Sequence, residues 1–459
     1  MNANLNEEME LLLEAVKMHL DDKDFGTLGE LIEKTHPVDI AETLMELEDN
    51  DKITLFLQLP WDFASDVLEE IDSDTFSDMI RILKDDQKSY ILDMMSQDDI
   101  VDKLGELSEK RSREIIAYLN IEDAADVREL MFYDEDTAGG IMTKDYITLK
   151  KDYTIFHSIE TLRETAPESE TIYYVYVTDH DEKLVGVISL RELIVSMPDA
   201  LVSDIMNENV ISVRVDDDQE EVAKIVSKYG LLAIPVTDND RNMLGIITVD
   251  DIIDVIEEEA TEDILKFAGS SDLEDFDEEG FFKRIIISVR SRLPWLVITV
   301  FGGLLSASIV RNSQGILDLN TSLAMFMPLL AGMGGNVGTQ SSTLTVRSIA
   351  MNNIYGKDVF RTIVQEMLVG MLVGLVCSLI VLVAALALNG EVIVGLIVGV
   401  AMFANIVTAA TLGTIVPIIF KKIGVDPAVA SAPFISTTVD ITGLSIYFAL
   451  AAFLFKVWL

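Results

Sequence analysis

Three patterns of hydrophobic and polar positions follow one another along this chain. Up to about residue 130, apolar residues recur at helical spacing in short bursts divided by acidic turns. Asp39-Ile40-Ala41-Glu42-Thr43-Leu44 is echoed by Asp62-Phe63-Ala64-Ser65-Asp66-Val67, and more loosely by Asp74-Thr75-Phe76-Ser77-Asp78-Met79. Each echo offers an acidic N-cap ahead of an apolar face. Short helical units that cannot bury a face alone predict an α-helical array over residues 1–136.

The period then changes, and the segment 137–263 repeats itself. Ile141-Met142 with Tyr146-Ile147-Thr148-Leu149 matches Ile205-Met206 with Val210-Ile211-Ser212-Val213. Val177-Thr178-Asp179 with Gly186-Val187-Ile188-Ser189 matches Val236-Thr237-Asp238 with Gly245-Ile246-Ile247-Thr248. The β-branched runs predict strands, with turns at the Gly and acidic positions between them. Asp152–Arg163 and Asp218–Tyr229 read as helices. This tandem strand–helix–strand–strand–helix unit resembles a pair of α/β CBS domains, over 137–200 and 201–263. CBS pairs regulate a neighbouring domain and often bind adenosine nucleotides. The resemblance implies a ribose site at Thr248 and Asp250 of the second copy, and hence ATP as a possible ligand. The first copy carries Arg191 where the second has Asp250, so at most one site looks complete, and an unliganded scaffold is the alternative.

The third pattern is long and uncharged. Five stretches, near 293–310, 321–346, 367–390, 392–420 and 427–455, reach membrane-spanning length. They predict an all-α transmembrane bundle of five helices over 285–459. Lys283, Arg284, Arg290 and Arg292 precede the first stretch, Arg347, Lys357 and Arg361 follow the second, and Lys421 and Lys422 follow the fourth. Arg311 and Lys456 lie on the other side. This bias places the N-terminus in the cytoplasm and the C-terminus outside the cytoplasm.

Charge sharpens the division. The 459 residues carry a formal net charge of −44, with about −49 before Phe281 and about +5 from there on. An acidic half of this kind repels nucleic acid and attracts cations, though any single Glu can simply keep the domain soluble. Cys377 stands alone in an apolar stretch, which excludes a disulfide framework and a cysteine zinc site. The first residues are polar and acidic, without the basic start of a secretory signal. On a helix over 250–263, Asp251, Asp254, Glu258 and Glu262 fall on one face, and Ile252, Val255, Ile256 and Ala260 on the other. Like charges at that spacing cost about 0.2–0.5 kcal/mol per pair, so the face invites a counter-ion.

Inside the fifth stretch lies one acid, Asp440. A carboxylate at that depth costs about 2.5–3.5 kcal/mol on insertion scales, so it should face water or a cation. Pro433 and the Ser/Thr run near it are expected to free backbone carbonyls as further oxygen ligands. The alternative is a protonated Asp bonded to a neighbouring helix. In the second stretch, Gly332, Asn336 and Gln340 share a face and are candidates to line a pore, or else form a packing seam. Glu366, near the cytoplasmic end of the third, is expected to pair with Arg361 or Arg347.

Taken in order, an acidic helical domain, a CBS pair, an acidic connecting segment, the Gly334-Gly335-Asn336-Val337-Gly338-Thr339-Gln340 run and the Thr437-Thr438-Val439-Asp440-Ile441-Thr442-Gly443 run resemble the MgtE family of magnesium channels and transporters over nearly the whole length. The resemblance implies a multi-pass protein of the cell membrane, a homodimer with its pore on the two-fold axis, and Mg²⁺ as both cargo and regulator. It implies that Asp440 binds Mg²⁺ in the pore. It implies a connecting, pore-plugging helix over 264–284. It also implies closure by cytoplasmic Mg²⁺ at Asp251, Asp254, Glu259, Glu262, Asp263 and Glu220, with Asp74 and Asp78 as further candidates. Family members can carry an acid in the loop where this chain has Tyr229-Gly230-Leu231, which would weaken one regulatory site. Mg²⁺ sheds water reluctantly, so two Asp440 carboxylates could hold it largely hydrated. The rival readings are a carrier coupled to Na⁺ or H⁺, a divalent-cation receptor without transport, and an intramembrane enzyme. The last lacks a His-Glu-x-x-His or Gly-x-Ser-x-Gly motif.

Overall fold

The structure, a computed structural model, describes residues 2–165, 171–270, 281–350, 357–389 and 391–458. These fall into two compact units, 1–257 and 258–459.

The first unit opens with an array of short helices: α1 (Asn2–Asp22), α2 (Phe25–Ile32), α3 (Pro37–Met45), α4 (Asp49–Phe56), α5 (Trp61–Glu70), α6 (Ser73–Ile82), α7 (Asp85–Leu92), α8 (Gln97–Glu106), α9 (Glu109–Ile116) and α10 (Asp123–Leu130). Most bury residues at three- and four-residue spacing, such as Ile40, Ala41 and Leu44 on α3 and Phe76, Met79 and Ile80 on α6, while α4 and α7 bury only an adjacent pair. Together they form one continuous core from Val16 to Val127. The expected acidic N-caps lie two or three residues too far along. Asp39, Asp62 and Asp74 sit inside the first turn, and the caps are His36, Pro60 and Asp72. Acids in a first turn favour the helix through its dipole instead.

Two three-stranded sheets follow, each with a parallel and an antiparallel pair. The first is β1 (Thr148–Lys150), β2 (Tyr174–Thr178) and β3 (Leu184–Ser189); the second is β4 (Val213–Arg214), β5 (Ala233–Thr237) and β6 (Met243–Thr248). The connecting helices are α11 (Ile155–Thr165), α12 (Leu190–Val195), α13 (Val202–Ile205) and α14 (Gln219–Tyr229). Gly230 closes α14 in the left-handed region at φ 63°.

The two copies exchange their leading segments. Thr143 bridges to Ile246, and Met142 packs into the core of the second copy. Asn207 bridges to Val187, and Met206 packs beside the core of the first. Glycine is required at both junctions: a Cβ on Gly186 would meet the Met206 side chain, and one on Gly245 would lie 2.6 Å from the Thr143 carbonyl oxygen. The tandem repeat is thus one interlocked body.

Helix α15 (Val249–Ala268) leaves β6 directly and runs past the division between the units. It buries Ile252 and Val255, but Ile256 is exposed, so the apolar face is shorter than expected. The helix expected over 264–284 is not one element. α15 ends at Ala268, Gly269 turns at φ 75°, residues 271–280 lie outside the described residues, and a new helix begins at Phe281.

The second unit contains α16 (Phe281–Asn312), the short α17 (Gln314–Leu319), a 3₁₀ turn at Thr321–Phe326, α18 (Met327–Ala350), α19 (Lys357–Asn389), α20 (Val392–Lys422), a 3₁₀ turn at Pro427–Val429 and α21 (Ala432–Trp458). α20 forms the buried centre, packed by α18, α19 and α21, and α16 lies against α21. Among the described residues four helices are long and apolar enough to cross a membrane, on α16, α19, α20 and α21. The second of the five expected spans, α18, is not among them. Its Gly, Ser, Thr, Asn and Gln lower its hydropathy, and several of these are buried against neighbouring helices.

Close approach defines this packing. A Cβ on Gly302 would strike Thr437, one on Gly338 would lie 3.0 Å from Ile435 and Val439, and one on Gly413 would strike the Gly338 carbonyl. Gly303, by contrast, has open space around it. Gly413→Ala should therefore lower the thermal midpoint of the detergent-solubilised protein, at an overpacking cost of about 1–3 kcal/mol. Gly303→Ala should be neutral or slightly stabilising, since Ala is favoured over Gly in a helix by about 1 kcal/mol. Indistinguishable midpoints for the two variants would contradict this packing.

Candidate functional site

Asp440 lies two turns into α21 and is half-buried. Among the described residues no Lys, Arg or His is within ion-pair distance of it. Its helix is continuous. Thr438, Thr442 and Ser445 return their hydroxyls to the carbonyls of Phe434, Thr438 and Ile441 at 2.9, 2.9 and 2.7 Å. Pro433 sits in the first turn, where its missing N–H breaks no helical bond. The expected freed carbonyls are therefore not found on α21.

On α18 the exposed stripe is Gly332, Asn336 and Gln340, and the buried stripe is Gly334, Gly335, Gly338, Ser341 and Ser342. Gly335 and Gly338 seat Ser436, Ile435 and Val439 of α21. The buried stripe of α18 thus packs on the helix that carries Asp440, and Gly332, Asn336 and Gln340 face out of the single chain. Glu366 does not pair with an arginine among the described residues; Ser341 Oγ donates to its carboxylate at 3.0 Å.

A second concentration of carboxylate lies in the first unit. Asp98 and Asp99 open α8, and Asp250, Asp251 and Asp254 open α15. Asp98 is buried, and its Oδ1 has no hydrogen-bond partner among the described residues. Burial pushes its carboxyl well up, and the neighbouring Asp99 adds to this. Asp251 is pushed up by burial and then by the charge of Asp98, although it accepts from Thr248 N at 3.1 Å and Thr248 Oγ1 at 2.6 Å. Asp145 is raised to about 7 by burial, with Asp98 and Asp123 contributing. Asp99 is raised chiefly by burial, with Asp250 and Asp254 adding, and Glu70 by burial, with Asp99 and Asp254 adding. Among the described residues, no three acids or histidines converge at metal-binding distance. The chemistry is that of crowded, poorly screened carboxylates that gain by taking up protons or a cation.

The remaining residues singled out from sequence are dispersed. Glu220 pairs with Lys224 at 2.7 Å, Asp78 with Arg81 at 2.9 Å, and Asp74 with Arg111. Glu262 pairs with Lys266 at 2.5 Å, and Lys266 also reaches Asp426 at 3.2 Å, ahead of α21. Glu259 and Asp263 lie partly buried farther along α15. Asp98, Asp99, Asp145 and Glu70 were missed. Asp98 and Asp99 show in sequence only as an acidic pair at the start of α8, which reads equally well as ordinary complement to a helix dipole, and Asp145 and Glu70 carry no sequence signal.

Thr248 is buried and engaged by Asp251, whereas Asp250 is exposed. A cavity of about 440 Å³ lies instead at the first CBS-like copy, lined by Tyr173, Tyr174, Ser189, Arg191, Ile194 and Leu232 among others.

Comparison with known proteins follows the same division. A family profile described as divalent cation transporter matches residues 327–450, one described as MgtE intracellular N domain matches 35–136, and the CBS domain profile matches 138–199 and 202–258. The magnesium transporter MgtE of Thermus thermophilus is 36% identical, over 97% of this chain and 99% of its own. That of Bacillus subtilis is 34% identical, over 96% and 97%. Among solved structures, the soluble part of a magnesium transporter is 37% identical, with a TM-score of 0.50, over 55% of this chain and 99% of its own. The cytosolic domain of the Mg²⁺ channel MgtE in complex with ATP is 35% identical, with a TM-score of 0.50, over 53% and 99%. Domain order, length and identity agree from end to end, and the chain belongs to the MgtE family of divalent cation transporters, multi-pass membrane proteins with an intracellular N-terminal domain.

Proposed function

We propose that this protein is a Mg²⁺-selective, channel-like path through the membrane, closed from the cytoplasm by Mg²⁺ bound to its acidic domains. The observation that carries this reading is Asp440, a half-buried carboxylate in an apolar bundle with no cationic partner among the described residues. A charge held there without a counter-ion needs water or a cation beside it. The magnesium transporters that align over nearly the whole chain support Mg²⁺ as that cation.

The exposed stripe of Gly332, Asn336 and Gln340 supports a homodimer. Polar amides facing lipid are costly, and a second copy would cover them and bring two Asp440 carboxylates to one axis. Two carboxylates balance a divalent charge and can hold Mg²⁺ through its water shell. α18 has 24 residues, which at about 1.5 Å each gives the length of a bilayer crossing. We therefore count it as a fifth span, lined by protein rather than lipid, and place the C-terminus outside the cytoplasm.

The sensor is the acidic surface of α8 and α15. Asp251 and Asp254 join Asp98, Asp99 and Asp145 there; Glu259, Glu262, Asp263 and Glu220 are further candidates, with Asp74 and Asp78 beyond them. Divalent cations neutralise these groups and favour the arrangement that holds them close, so mass action closes the path as cytoplasmic Mg²⁺ rises. Lys266, shared between Glu262 and Asp426, connects the end of α15 to the turn that leads into α21. ATP is a second ligand of this regulatory half. The cavity beside Arg191 favours the first copy over Thr248 and Asp250.

Flux into proteoliposomes tests the path. Asp440→Asn should fold and lose most Mg²⁺ flux, while Asp251→Ala combined with Asp254→Ala should raise the Mg²⁺ concentration needed for closure without changing single-channel conductance. Wild-type flux in folded Asp440→Asn would remove the pore assignment. An unchanged closure curve in the double variant would reduce the acidic face to a solvated surface.

The raised carboxyls also set a pH dependence. Asp145 titrates near 7 in the folded protein against an ordinary 3.8, so the folded state holds a proton that the unfolded state gives up between those values. Stability from this group is therefore full at low pH and falls as pH rises through that window. In chelator-treated protein, amide exchange in α8 and α15, corrected for intrinsic rate, should slow on going from neutral to mildly acidic pH. Millimolar Mg²⁺ should largely abolish the difference. Protection that ignores both pH and Mg²⁺ would contradict the proposed sensor.

For ATP, calorimetry on the full-length protein should show binding that Arg191→Ala weakens about tenfold, the order expected for a lost charge-assisted bond to phosphate. Loss of binding in Asp250→Ala with Arg191→Ala unaffected would move the site to the second copy.

A further inference from the structure

Asn405 sits near the middle of α20 and is 1% exposed. Its Nδ2 donates to the Leu330 carbonyl of α18 at 2.7 Å. Its Oδ1 is buried without a hydrogen-bond partner among the described residues. A half-satisfied amide at bilayer depth is unfavourable, and a Leu or Ala would be the ordinary occupant.

The surroundings are shaped to admit it. A Cβ on Gly334 of α18 would lie 2.6 Å from Asn405 Nδ2, and a Cβ on Gly443 of α21 would strike Asn405 Oδ1. One glycine on each neighbouring helix therefore leaves room for the same amide. Gly334 lies two residues before Asn336, and Gly443 lies three residues after Asp440. The amide is thus wedged where the helices carrying the candidate pore groups meet α20, bonded to one and pressed against the other.

We propose that Asn405 is a positioning residue that fixes the spacing of α18 and α21, and through it sets the discrimination between divalent cations. This rests on the reading of Asn336 and Asp440 as pore groups. Mg²⁺ and Ca²⁺ carry the same charge but differ in size and in their grip on water, so a path that passes a largely hydrated ion separates them by its width and by where its oxygens stand. The bond to Leu330 and the two glycine contacts hold that width from behind, with no atom of Asn405 in the path itself.

The test is Mg²⁺ and Ca²⁺ flux into proteoliposomes containing full-length Asn405→Leu, Asn405→Ala and Gly443→Ala, with Asp440→Asn in parallel. Leu keeps the volume and removes the bond; Ala removes both; Gly443→Ala keeps the amide and displaces it. The Mg²⁺ to Ca²⁺ flux ratio should fall about fivefold in the variants that fold, the order expected for one interhelical hydrogen bond in a bundle. The cytoplasmic Mg²⁺ needed for closure should stay at its wild-type value. A wild-type ratio, or an equal loss of both fluxes, would overturn the proposal and leave Asn405 a packing residue. Wild-type flux in Asp440→Asn would instead overturn the pore reading beneath it. A silent Asp440→Asn beside an unchanged ratio in the Asn405 and Gly443 variants would overturn this inference alone.

Discussion

Carboxylate charge held where water screens it poorly is the constraint around which this protein is organised. In the first unit buried Asp98 stands beside partly buried Asp145 and Asp251, and each is driven toward its protonated form. In the second, Asp440 lies within an apolar bundle without a basic partner among the described residues. Such groups weaken the fold that carries them unless something positive arrives. A transporter of divalent cations supplies that charge as part of its function. A bound divalent cation would relieve that same electrostatic deficit.

The architecture around these charges is correspondingly tight. The CBS-like copies exchange their leading segments, with Met142 and Met206 each packed on the opposite copy, so neither can shift alone. In the bundle, Gly413 brings α20 into contact with the α18 backbone at Gly338, and glycines at 302, 334 and 443 make room for side chains of the neighbouring helices. Helices this close move as units rather than by local yielding of side chains. Within the second unit, Lys266 ties Glu262 on the long helix α15 to Asp426 ahead of α21.

The intramembrane polar groups divide by what they face. Asn405 and Ser342 face inward and hold neighbouring backbone carbonyls, at Leu330 and Ala430. Asn336 and Gln340 face out of the single chain. The first kind stabilises helix–helix geometry; the second demands cover or water. α18 carries both kinds, which is why its composition falls below that of a lipid-facing span while its length does not.

Much of this was legible in the sequence. Helical spacing marked the N-terminal array, the paired Ile-Met and Gly-x-Ile motifs marked the tandem repeat, and the switch from dense acid to uncharged stretches marked the membrane half. These are local signals, because periodicity and charge act over a few residues. Asp440 was also visible, since a lone acid within an apolar run needs no fold to identify it. Tertiary structure alone decided what distant residues do to one another. It brought Asp98 beside both Asp145 and Asp251, from segments far apart in sequence, and gave Asp74 the distant partner Arg111, whereas Glu220, Asp78 and Glu262 pair within their own helices at the three- or four-residue spacing that sequence shows. It kept α21 continuous through its Ser/Thr run and turned half of α18 inward. Sequence thus determined where charge and hydrophobicity lie along the chain. Burial and proximity, which fix the energy of each charge, exist only once the chain has folded.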